Sequence, residues 1–229
     1  GVYTISAAVE RLPRSWGSAP VGTIGSNPIW VLPDPPRRRV FFGDIHVHSA
    51  MGNCHTHTVK SPDFLFSFGR DVAALDFAGA ADHVEQLSPE KWDHYYRTAM
   101  KYNEPGRFVP ILGYEYTHIQ GPPDSGQAGH MNVYFSGPEP REFDDISEQY
   151  QSFHDTRRRH AIEEIWAHLD RFREKTGGDY LTAIHHPCWE RHMPLVGQGV
   201  SFDEERMPVI EVWSKWGSSL SEDHPNRLW

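Results

Sequence analysis

The sequence predicts an α/β fold, a parallel sheet or barrel with helices laid between its strands. Three observations predict it. From Val40 onward, short apolar runs of strand length alternate with helical patterns; two helix starts carry the same Ser-Pro-acidic signal; and one long segment repeats its apolar residues at helical spacing. Such interleaving argues against separate α and β layers.

The elements follow in order. The stretch up to Val31 alternates short apolar runs with Gly, Ser and Pro in a β-like way, yet is too short to close a sandwich alone. The prolines of Leu32-Pro33-Asp34-Pro35-Pro36, followed by Arg37 to Arg39, resist helix and strand alike. Residues 1–33 are therefore expected to be the last strands of a preceding β domain, 34–39 a linker, and 40–229 the α/β domain. Residues 40–45 form a compact apolar run suited to a buried first strand. Ser61-Pro62-Asp63 supplies an N-cap, a first-turn proline and an acid for a helix with apolar positions through Ala74. Residues 76–81 are the second strand, and Ser88-Pro89-Glu90 starts a helix reaching about Asn103. Residues 108–113 and 131–135 are the third and fourth strands. Ile162, Ile165, Trp166, Leu169 and Phe172 mark one face of an amphipathic helix. Residues 181–184 and 208–213 complete six strands.

Composition narrows the function. The chain has 229 residues, with 22 Lys+Arg against 31 Asp+Glu and a formal charge of −9. That balance opposes a nucleic-acid binder held by phosphate neutralisation, and no basic groove with interleaved aromatics appears. No run of 18 apolar residues suggests a membrane span. Two cysteines, Cys54 and Cys188, cannot make a disulfide framework. Histidine stands out at fifteen residues, more than an equal one-in-twenty share would give.

Several of those histidines fall at strand ends. The first strand leads into His46-Val47-His48, the second into Asp82-His83, the third into Glu115 and the fifth into His185-His186-Pro187, while His130 precedes the fourth. Residues two apart on a strand share a side, so His46 and His48 can reach one ion together. Side chains from successive carboxyl ends of barrel strands converge on one mouth. Imidazole with carboxylate suits zinc, manganese or iron. His130 fits less well because it comes before its apolar run. His55 and His57, in the loop after the first strand, are further candidates, and Cys54 a weaker one. His160 and His168 read as the exposed face of the amphipathic helix, and His94, His118, His154, His192 and His224 as surface or rim. Trp189, Trp213 and Trp216 read equally well as an aromatic pocket or as packing.

Gly43-Asp44-Ile45-His46-Val47-His48, Ala81-Asp82-His83, Gly113-Tyr114-Glu115, Gly129-His130-Met131-Asn132 and His185-His186-Pro187 resemble the ordered motifs of the PHP family, named for polymerase and histidinol phosphatase. The similarity is nearest to a branch of large bacterial proteins in which a β domain precedes the PHP module, with Ser26-Asn27-Pro28-Ile29 at the junction. The resemblance covers residues 40–215. It implies a distorted seven-stranded β/α barrel with two or three divalent ions at its mouth. His46 and His48 would hold the first ion, Glu115 would bridge to a second held by His130 and His186, and His83 would serve a third together with the loop holding His55. The family closes its site with an Asp-x-His on the last strand, and nothing after His186 supplies one. The chain is accordingly expected to stop before that strand.

The function expected is metal-dependent hydrolysis of an ester, a phosphoric ester first, on a small anionic substrate. A bound divalent ion lowers the pKa of water from 15.7 to roughly 7 and neutralises phosphate charge. Glu115 and Asp82 are the candidate catalytic residues, with Asp82 and Asp44 expected to orient imidazoles. Two alternatives stand beside this reading: an inactive PHP-like binding module, and an amidohydrolase-type barrel, which would need a lysine where this chain offers His130.

Overall fold

The computed structural model describes residues 2–8, 23–25, 29–34, 38–52, 60–120, 128–136, 161–185, 203–214 and 217–218. The chain divides into two compact units, 1–40 and 41–229. In the first, β1 (Val2–Tyr3) pairs antiparallel with β4 (Ile29–Trp30), and β2 (Ser6–Ala8) pairs antiparallel with β3 (Thr23–Gly25).

The second unit is built on a six-stranded sheet. Its strands are β5 (Gly43–Val47), β6 (Phe77–Ala80), β7 (Val109–Gln120), β8 (Ala128–Ser136), β9 (Asp179–Ile184) and β10 (Val209–Ile210). They lie side by side in chain order. A separate two-stranded ribbon joins β11 (Trp213–Ser214) to β12 (Gly217–Ser218). The pairs β5–β6, β6–β7 and β9–β10 are parallel, whereas β8 runs antiparallel to both its neighbours. The all-parallel sheet expected from the sequence therefore fails at one strand: β7 and β8 form a long hairpin instead of a crossover. A second correction concerns the first strand. It begins at Gly43, and Val40, Phe41 and Phe42 are exposed (76%, 61% and 68%).

The helix signals hold closely. Ser61 Oγ accepts the Phe64 amide at 3.2 Å, with Pro62 in the first turn of α1 (Pro62–Ser67), and the chain then widens into a π-helical turn at Phe68–Val72. Ser88 Oγ accepts the Lys91 amide and opens α2 (Pro89–Tyr102), which stops at Asn103. In α3 (Ile162–Thr176) the five residues of the apolar stripe are all buried. Gly177 ends α3 at φ 69°, a left-handed conformation that glycine adopts without the strain a side chain would add.

The core lies between the helices and the sheet. Phe66 stacks on Tyr95; Trp92 packs edge-on against Tyr95 and Phe135; and Phe135 meets Phe172 of α3. The buried Tyr95 hydroxyl accepts the Ala80 amide at 2.8 Å and donates to the Ile111 carbonyl at 3.0 Å, so one side chain ties α2 to both β6 and β7 without an unsatisfied polar group. Among the described residues, no helix is long and apolar enough to cross a membrane.

Candidate metal centre

One rim of the sheet gathers the titratable side chains. His46 lies near the end of β5 and His48 just beyond it, His83 follows β6, Glu115 sits within the long β7, and His185 follows β9. Because β8 is reversed, His130 near its beginning reaches the same rim as the others near their ends. Register reinforces this: Glu115 is paired with Asn132, and His83 bridges Glu115 through the backbone, the Glu115 amide donating to the Asp82 carbonyl at 2.9 Å. Gly113 permits the tight β7–β8 contact. A Cβ there would fall 2.5 Å from the Val133 carbonyl oxygen and 2.7 Å from the Tyr134 ring.

Glu115 is the centre of the cluster. It is 1% exposed, and its two oxygens face different histidines. Oε2 lies 3.1 Å from His48 Nε2 and 3.4 Å from His46 Nε2. Oε1 accepts from His130 Nδ1 and lies 3.4 Å from His185 Nε2 and 3.6 Å from His83 Nδ1. The rings pack on one another, with centroids 4.1 Å apart for His46 and His185 and 4.9 Å apart for His48 and His83. Burial opposes the Glu115 charge, but the His185 charge and the hydrogen bonds from His130, His185 and His46 hold its carboxyl well below the usual range. For His46, burial pulls the imidazolium down, yet hydrogen bonds to Glu115 and Glu211 outweigh it and raise the group from 6.5 to about 9. His83 moves the other way: burial outweighs Glu115 and Glu85 and lowers it.

Among the described residues, three sets of donors lie close enough to share an ion: His46 with His48 and Glu115, Glu115 with His130 and His185, and His46 with His185 and Glu211. The donor set fits a divalent cation of borderline softness. A second observation agrees. The buried Nδ1 atoms of His48 and His83 have no hydrogen-bond partner, and His83 Nδ1 stands 3.6 Å from both the Glu85 and Glu115 carboxylates, just too far to donate.

The residues expected from the sequence thus divide. His46, His48, His83, Glu115 and His130 come together. His55 and His186 lie outside the described residues, as do His57, Cys54, Trp189 and Trp216. His185, the first of the His-His pair, stands in the cluster. Among the described residues, no imidazole is hydrogen-bonded to Asp82 or Asp44. Both Asp82 oxygens are taken by Ser49, Oδ1 by its amide at 2.6 Å and Oδ2 by its hydroxyl at 2.5 Å, so this carboxylate fastens the turn after β5. Asp44 accepts the His46 backbone amide. Glu211 was not foreseen. Its signal was an acid at the end of the apolar run Pro208-Val209-Ile210, the same pattern that marked Glu115.

Among solved structures, the chain is similar to a protein from Bifidobacterium adolescentis provisionally named a metal-dependent phosphoesterase. The identity is 13%, 79% of each chain is covered and the TM-score is 0.43. No curated protein matches significantly. A family model described as "Protein of unknown function (DUF3604)" matches residues 62–191, which is 130 of the 229 residues. With more than half of its length matched, the chain belongs to the DUF3604 family.

Proposed function

We propose that the protein is a metal-dependent hydrolase of ester bonds, with a small phosphoric ester as substrate, built on a PHP-type barrel. The observation that carries this reading is the buried Glu115 carboxylate, whose two oxygens face two separate groups of imidazoles. His46, His48 and Glu115 Oε2 would hold one divalent ion; His130, His185 and Glu115 Oε1 would hold another. Such ions supply Lewis-acid polarisation of the phosphoryl group and acidify water at neutral pH.

The chain's own residues prepare the site. Glu115 brings a buried negative charge to β7, between β6 and β8. Asp82 anchors the Ser49 turn beside His48. Burial favours the neutral form of His83, the form that can ligate an ion.

The test uses purified protein stripped of metal, reloaded with manganese or zinc, checked for metal content, and offered phosphomonoesters and phosphodiesters. Metal-dependent turnover that is lost in His130→Ala supports the reading. Absence of turnover on every ester, with the ions bound, refutes it.

A further inference from the structure

Glu211 follows β10, at the opposite edge of the sheet from His46 on β5. The two edge strands share no ladder, yet the side chains meet: His46 Nδ1 lies 3.1 Å from Glu211 Oε1. The sheet therefore curls until its edges face each other across the rim. Backbone bonding fixes the approach, because Ile210 pairs with Ile184 and the Glu211 amide donates to the Ile184 carbonyl at 3.0 Å. On the other side, Tyr134 donates its hydroxyl to the Ile45 carbonyl at 2.9 Å and braces β5 immediately before His46. His46 is thus held between two carboxylates, with Nδ1 toward Glu211 and Nε2 toward Glu115.

We propose that Glu211 is a positioning residue for the metal centre, accepting the Nδ1–H of His46 so that Nε2 is presented to the ion beside Glu115. An imidazole ligand bound through one nitrogen keeps its proton on the other, and a carboxylate partner there fixes the tautomer and the ring and strengthens the ligand. Glu211 also ties the first edge strand to the last at the point where the ligands must converge. This inference rests on the metal-centre reading above, but it makes a claim about His46 that can be read without metal.

The test compares wild type with Glu211→Ala and Glu211→Gln, each checked for folding by circular dichroism. With histidine labelled by nitrogen-15, the hydrogen-bonded Nδ1–H of His46 is expected as a downfield, exchange-protected proton in metal-free wild type. It should be lost in Glu211→Ala and retained in Glu211→Gln, whose amide oxygen still accepts. Zinc affinity by calorimetry should fall about 10–100-fold in Glu211→Ala and be largely rescued in Glu211→Gln. A protected His46 proton that survives Glu211→Ala overturns the proposal, and so does unchanged zinc affinity in that variant. If wild type binds no zinc, the metal-centre reading fails, and Glu211 as a residue that positions a ligand fails with it, even if the proton readout shows the hydrogen bond to exist.

Discussion

The raised pKa of His46 makes a quantitative demand on the metal-free protein. Hydrogen bonds to Glu115 and Glu211 overcome burial and lift the group from 6.5 to about 9. A histidine whose folded pKa is raised contributes stability that is fully present below 6.5 and is lost as pH rises through 9. At 1.36 kcal/mol per tenfold change in proton affinity, the contribution is about 3 kcal/mol near pH 6 and falls to a few tenths near pH 9. His83 acts in the opposite sense, but its pKa is lowered, so its effect lies at and below about 6.5 and is small above about pH 7. Glu115 is held well below the usual carboxylate range, and its contribution changes only in acid. Urea denaturation of protein treated with a chelator should therefore show stability dropping by about 2 kcal/mol between about pH 7 and about pH 9. Glu115→Gln removes the partner with the larger effect and should cut that drop to less than half, leaving Glu211 to hold the rest. A flat profile across the window, or a slope that Glu115→Gln leaves intact, would refute the reasoning.

Two further outcomes test the scaffold. Phe66 is fully buried and stacks on Tyr95, so Phe66→Ala should cost about 3–5 kcal/mol in denaturant unfolding; a cost under about 1 kcal/mol would show that the α1–α2 layer is not packed as described. Asp82→Asn keeps the shape but puts an amide N–H₂ where one of the two Ser49 donors now finds an oxygen, so it should cost about 1–3 kcal/mol and speed hydrogen exchange at the Ser49 amide. Unchanged exchange there would mean that Asp82 does not hold this turn.

Much of this was readable in the residues, for identifiable reasons. Ser61-Pro62 and Ser88-Pro89 carry local capping chemistry that acts regardless of the rest of the fold, and both helices begin there. The buried stripe of α3 is likewise a property of its own periodicity. Val40-Phe41-Phe42 misled because apolar content alone does not state whether a strand finds neighbours; the ladder begins only at Gly43, which pairs with Phe77. The reversal of β8 was hidden for a related reason: strand direction is decided by pairing, and an apolar run reads the same for either. Glu211 was the most distant inference, since its partner His46 lies 165 residues earlier and on the opposite edge of the sheet.

His130 had seemed the poorest member of the set because it precedes its strand, and it is the residue that explains the geometry best. Convergence on one rim requires side chains from the end of a strand running one way or from the beginning of a strand running the other. An antiparallel β8 between β7 and β9 therefore makes the position before the apolar run the correct one. The same arrangement accounts for the charge. Glu115, Glu211 and Glu85 bring three carboxylates to the cluster, and in the metal-free protein a proton on His46 answers Glu115 and Glu211, beside the His185 charge that also faces Glu115. Ligand nitrogens give up such protons to a divalent cation. A divalent ion held as proposed would supply local positive charge, and through it an acidic chain of net −9 would be compatible with an anionic substrate.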